Sequence, residues 1–93
     1  MITVDGQYLR VAGSMRIADT RALVEGGNAQ LPSGAAIADL SAVQEADSAA
    51  LAVLFAWTRT QRAKGGSLRV EGAPKGVLAL AEMYGVNELI AFA

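Results

Sequence analysis

The stretch from Asp39 to Phe55, DLSAVQEADSAALAVLF, decides the fold. It starts at the end of an apolar run, Ala35–Leu40, crosses polar Ser41–Glu45, and enters a second apolar segment. An unbroken apolar run bounded by polar residues is the pattern of a central strand buried on both faces. Beyond the crossing, Leu51, Leu54, Phe55 and Thr58 stand at i, i+3, i+4 and i+7, the stripe of a helix laid on a sheet. The longest helix is therefore expected over Ser48–Lys64, stopped by Lys64-Gly65-Gly66. Asp47 and Ser48 fall at its start. Either side chain can be the N-cap, accepting a hydrogen bond from a free backbone N–H. Asp39, Glu45 and Asp47 precede the helix, while Arg59, Arg62 and Lys64 close it. That polarity suits the helix macrodipole, at ~0.3–1 kcal/mol per charge.

Working outward, Met1–Val4 and Gln7–Gly13 flank Asp5-Gly6, a common turn pair, and read as a hairpin. Tyr8 and Arg10 share one face of its second strand, Leu9 and Val11 the other. Met15–Glu25 reads as a helix with Ile17, Arg21 and Val24 on one face and Leu23 beside them. Asp19 or Thr20 can cap it, and Gly26-Gly27-Asn28 is expected to end it. SLRVEG, residues 67–72, is a further strand. Pro74 opens a helix carrying Val77, Leu80, Ala81 and Tyr84 on one face, with the Tyr84 ring in the core, and Gly85 stops it. Val86–Ala93 adds one or two turns. The order predicts one α/β domain over residues 1–93, a small mixed four-stranded sheet with an N-terminal hairpin and about four helices. The strands on either side of the long helix should be parallel. Val53, Trp57 and Thr60 form a second stripe on that helix. The first helix or the carboxyl-terminal segment can cover Val53 and Trp57, or they can lie partly exposed beside Ser48 as a partner surface, where Trp often anchors.

The composition excludes much chemistry. The 93 residues hold no Cys and no His, so disulfides, thiolate nucleophiles and the usual general base are absent. Apolar residues make up 53% but aromatics only 5%, which leaves packing to Leu, Val, Ile and Ala. Eight basic and nine acidic residues leave a net charge of −1, with no field to gather nucleic acid. The nine carboxylates show no acid–base pair, and AKGGSLR, residues 63–69, lacks the spacing of a phosphate loop. No apolar run approaches the ~20 residues of a membrane span. The opening MITVDGQYLR has neither the basic nor the apolar region of a signal peptide. The expectation is a cytoplasmic protein without direct membrane insertion, with no cofactor and no metal, and not an enzyme.

The same residues resemble the STAS family, the fold of anti-sigma-factor antagonists and of the carboxyl-terminal domains of sulfate transporters. The family pattern is a strand ending in Asp-Leu-Ser, a loop, then Asp-Ser/Thr, a small residue, Gly and Leu. Here it meets Asp39-Leu40-Ser41 and Asp47-Ser48-Ala49-Ala50-Leu51, and the likeness extends roughly from Gly13 to Leu89. Ala49, the tail LRVEGAPKGVLALAEMYGV and the short length look most like the MlaB type. That type is the small cytoplasmic subunit of an ABC transporter moving phospholipids between the two membranes of Gram-negative bacteria. The resemblance implies a non-catalytic subunit, held at the inner membrane through the transporter complex, that binds and regulates the transporter's ATPase subunit. Ser48 would be the contact, supported by Asp47, Ala49, Ala50 and Trp57. The alternative it implies is an anti-sigma-factor antagonist, switched when an anti-sigma factor kinase phosphorylates Ser48. Two positions depart from the pattern. Ala50 replaces the Gly, and Ala49 stands where the antagonists usually carry a second hydroxyl, which leans toward the transporter subunit.

Overall fold

A computed structural model describes all residues, Met1–Ala93. The hairpin forms as its pattern predicts. Strands β1 (Ile2–Asp5) and β2 (Tyr8–Met15) pair antiparallel around Gly6, whose φ of 60° suits a residue without Cβ. A 3-10 turn, Ile17–Asp19, leads into α1 (Thr20–Gln30). Then follow β3 (Ala35–Ala46), α2 (Ala49–Ala63), β4 (Ser67–Glu71), α3 (Lys75–Met83) and β5 (Ala91–Phe92). The sheet order is β1-β2-β3-β4-β5, and every pair after the first is parallel. Each helix spans one parallel joining, as two parallel neighbours require. No helix is long and apolar enough to cross a membrane.

The helices cover one face of the sheet. Leu9, Val11, Ala36, Ala38, Leu40, Leu68 and Val70 alternate along β2, β3 and β4 and are all buried. They form one cluster with Leu23 of α1, Leu51, Leu54 and Trp57 of α2, and Val77 and Ala81 of α3. On the opposite face Tyr8, Arg10, Ile37, Asp39 and Glu71 are only half-buried, and Arg69 is exposed. Double-sided burial of Ala35–Leu40 therefore does not hold. The open face of that run carries Ala35, Ile37 and Asp39, and the Asp39 carboxylate keeps this face toward water, so Ala35 is exposed and the other two are half-buried.

Several boundaries differ from the sequence reading, each for a physical reason. The sheet has five strands rather than four, and there are three α-helices and a 3-10 turn rather than about four helices. The fifth strand comes from Val86–Ala93, expected to be helical. Instead Ile90 is buried, and Ala91 and Phe92 pair with Arg69 and Val70, shielding part of the β4 edge. Ser41–Glu45 is not a crossing either. It continues β3, and Ala42, Val43, Glu45 and Ala46 pair with Ala12–Met15 through two register shifts around Gly13. Ser41, Ala42, Gln44 and Glu45 are exposed, so no burial alternation marks this part as a strand.

The first helix is displaced along the chain. Met15 ends β2, fully buried, and Ile17 is 78% exposed rather than on a buried stripe. The helix runs through Gly26-Gly27-Asn28 and stops at Leu31, whose extended ψ of 127° is the one that a following proline, Pro32, favours. Gly27 serves packing rather than termination. A Cβ there would overlap the Trp57 indole, which lies against α1 and donates its Nε1–H to the Leu23 carbonyl at 3.1 Å. Tyr84 is also not in the core. It is the C-cap of α3, beyond the buried stripe, and is 57% exposed.

Candidate functional site

The site is built where β3 hands over to α2. Asp47 does the capping. Its Oδ1 accepts the Ala49 backbone N–H at 2.8 Å, and its Oδ2 accepts the Ile17 backbone N–H at 3.1 Å. One carboxylate thus closes the first turn of α2 and ties it to the 3-10 turn. Ser48 occupies the N-cap position with helical angles, φ −60° and ψ −19°, and its side chain makes no capping bond. A capping serine ordinarily adopts extended angles that let its oxygen reach back to the free N–H groups. Because Asp47 has taken that task, the Ser48 hydroxyl is left exposed and unengaged.

The 3-10 turn is held from its other side. Asp19 Oδ2 accepts the Ser14 hydroxyl at 2.5 Å and the Arg16 backbone N–H at 3.0 Å. Those bonds, the Ser14 hydroxyl foremost, hold the Asp19 carboxyl below its ordinary range. Arg16 also pairs with Glu45 of β3 at 3.2 Å. Ile17 is thereby presented outward beside Ser48. Ile17, Thr20, Asp47, Ser48, Ala49 and Ala52 line a shallow groove of about 510 Å³.

A second groove of about 510 Å³ continues along the same helix, lined by Ala52, Phe55, Thr58, Arg59, Arg62 and Leu89. Ala52 belongs to both. The outward side of α2 is therefore one strip, small and hydroxylic at its start, aromatic midway and basic at its end.

The structure brings Asp47, Ser48 and Ala49 together at this surface. It does not bring Ala50 or Trp57 there, since both are fully buried. Their place in a partner surface is corrected. Ala50 lies two residues beyond Ser48, about 200° round the helix. Trp57 faces α1, so of the two readings of the Val53–Trp57 stripe the covered one holds. Sequence reasoning missed Ile17, Ala52 and Leu89. Ala52 follows Ser48 by one helical turn and could have been found from that spacing. Ile17 and Leu89 sit on the two segments whose boundaries were misread. No group of three or more acidic side chains lies close enough together to hold a metal ion.

The Asp39-Leu40-Ser41 part of the motif is a local closure on the open sheet face. Asp39 Oδ1 accepts both the Ser41 N–H at 3.0 Å and the Ser41 hydroxyl at 2.7 Å. The backbone bond first, then the hydroxyl and the Arg10 guanidinium, hold the Asp39 carboxyl below the ordinary carboxylate range. Arg10 reaches Asp39 at 3.4 Å and Asp5 at 2.9 Å, and lies over the Tyr8 ring.

Comparison with known proteins agrees with this arrangement. No curated protein matches the sequence. Among solved structures, a sulfate transporter family protein from Wolinella succinogenes superposes with a TM-score of 0.70 at 14% identity, over 97% of this chain and 80% of that one. The anti-sigma factor antagonist SpoIIAA in its unphosphorylated form gives 0.68 at 10% identity, over 100% of this chain and 86% of that one. A putative anti-sigma factor antagonist from Thermotoga maritima gives 0.69 at 14% identity, over 99% and 83%. At such identities the likeness establishes a shared fold. The sequence model of the family described as "Mlab, STAS domain" matches residues 2–91, nearly the whole chain, and the protein belongs to that STAS family.

Proposed function

We propose that the protein is a non-catalytic subunit of a phospholipid-transporting ABC transporter, docking on the ATPase subunit through the Ser48 end of α2. The observation that carries this reading is the free hydroxyl. Asp47 caps the helix with one oxygen and holds the 3-10 turn with the other, and Ser48 stands exposed at the rim of a groove, its hydroxyl with no internal partner. A polar group that stabilises nothing in its own chain is available to another one. The mechanism would be allosteric. Binding one conformation of the ATPase more tightly than another shifts its population by the difference in affinity. Ala49 supports this reading over a phospho-switch, because the antagonist pattern would place a second hydroxyl there.

The test is co-purification of the chain with the ATPase subunit, wild type against Ser48→Ala and Ser48→Glu. Glu is expected to weaken the complex, since it adds a charge beside Asp47 in a surface that must lose water. Undiminished binding by both variants removes Ser48 from the interface.

The second reading is an anti-sigma-factor antagonist phosphorylated on Ser48, and the same exposed hydroxyl favours it. A phosphate would add about −1.5 to −2 charge at the helix N-terminus, which the dipole welcomes and the neighbouring Asp47 carboxylate opposes. Incubation with an anti-sigma factor kinase and ATP, read by mass, decides it. Phosphate on Ser48 that abolishes kinase binding establishes this reading in place of the first.

A further inference from the structure

The groove at the far end of α2 carries charges that no carboxylate of the chain meets. The chain has six arginines. Arg10, Arg16, Arg21 and Arg69 each lie within 3.5 Å of a carboxylate. The other two, Arg59 and Arg62, have none, and both line the groove that contains Phe55 and Leu89. Cations at a helix C-terminus complement its dipole, which accounts for basic residues there. It does not account for a half-buried aromatic ring and a leucine 54% exposed in the same groove. Unpaired charge around exposed apolar surface is the make-up of an interface before its partner arrives.

We propose that this groove receives an apolar side chain from a docking segment of the partner protein, and that Arg59 and Arg62 pair with carboxylates on either side of it. The inference rests on the reading that the outward strip of α2 is the docking surface, and it extends the contact from Ser48 through Ala52 to Arg62. An acidic protein segment suits the groove better than an anionic membrane. Membrane recruitment by charge takes clusters of about four to eight basic residues, and two guanidiniums beside a recess fit a side chain more closely than a plane of headgroups. Guanidinium is also the cation best shaped for paired hydrogen bonds to a carboxylate.

The test measures affinity of the full chain for the transporter's ATPase subunit at low and high salt. Four forms are compared, namely wild type, R59E/R62E, R59A/R62A and Ser48→Glu. R59E/R62E is expected to weaken the complex about 10–100-fold at low salt, as reversal of two close charge pairs does. R59A/R62A should weaken it less and flatten its salt dependence. Melting temperatures should fall only slightly, and more for R59E/R62E than for R59A/R62A, because both side chains are exposed and outside any ion pair but face the negative end of the helix dipole. If Ser48→Glu weakens the complex and R59E/R62E does not, the groove proposal is overturned while the docking reading stands. If neither weakens it, both fall. Anionic phosphatidylglycerol vesicles that bind wild type but not R59E/R62E, with the complex unaffected, would make the occupant a membrane and overturn the proposal. A self-dimer abolished by R59E/R62E would do the same in favour of a second copy.

Discussion

Two solvent-facing surfaces of this molecule differ in how completely they satisfy themselves. On the open face of the sheet, Arg10 meets Asp5 and Asp39, Asp39 also takes both donors of Ser41, and Arg69 meets Glu71. Each charge there has a neighbour within the chain. Along the outward side of α2, by contrast, the Ser48 hydroxyl makes no hydrogen bond and Arg59 and Arg62 have no carboxylate, and half-buried Phe55 and exposed Leu89 line the groove with the two arginines. The first surface needs nothing but water. The second holds polar groups, charges and apolar area in reserve, and that difference is why the helix rather than the sheet is proposed as the docking surface.

The comparison can be broken first at its support. The outward strip keeps its place because the inward side of α2 packs on α1 at Gly27. Gly27→Ala should cost about 1–3 kcal/mol through overpacking against Trp57, despite the better helix propensity of alanine. Gly26→Ala meets only side-chain ends, Ile2 Cδ1 at 3.1 Å and Gln30 Nε2 at 3.9 Å, and should be near neutral or stabilising. Urea unfolding midpoints of the two variants measure this, and equal values would mean that the α1–α2 contact is looser than described. Next comes the division of labour at the helix start. Asp47→Ala should lose about 1 kcal/mol as a cap, whereas Ser48→Ala should change stability by less than about 0.5 kcal/mol. A Ser48 loss as large as that of Asp47 would make the hydroxyl a structural group and remove the contrast.

The sheet face offers smaller effects. Arg69→Ala removes an exposed pair at 3.5 Å and should shift stability by no more than about 0.5 kcal/mol, with no effect on partner binding. Asp39 adds a pH signature. Its carboxyl is held below the ordinary range in the folded chain, so between the folded and unfolded values the unfolded chain binds more protons. Its contribution is fully present above the ordinary carboxylate value, about 3.9, and is lost as pH falls through the folded one. Asp39→Asn should therefore flatten the acid side of a stability–pH profile. An unchanged profile would mean that the Ser41 bonds do not persist in solution.

Legibility in the sequence followed how strongly each segment's pattern depends on its own residues. Helix α2 was readable to within a residue at each end, because Leu51, Leu54 and Thr58 repeat with helical period and Gly65-Gly66 stops it. The hairpin was readable from Asp5-Gly6 and the alternation of Leu9 and Val11. Helix α1 was misplaced because Gly27 looks like a terminator when its partner, Trp57, is 30 residues away in the chain. The end of β3 was missed because its residues are exposed and only pairing with β2 makes them a strand. At the site, Asp47 and Ser48 were legible as a pair but not the division between them.

By itself, then, the sequence determined the elements whose order follows from local periodicity and turn chemistry, and the position of one hydroxyl at the head of the longest helix. Tertiary structure alone decided which of Asp47 and Ser48 caps, since that depends on the Ile17 N–H that Asp47 also holds. It also decided that Trp57 is buried and that Arg59, Arg62 and Leu89 share a groove. Capping choice, burial and charge pairing are relations between distant segments, and a periodicity within one segment carries no record of what packs against it.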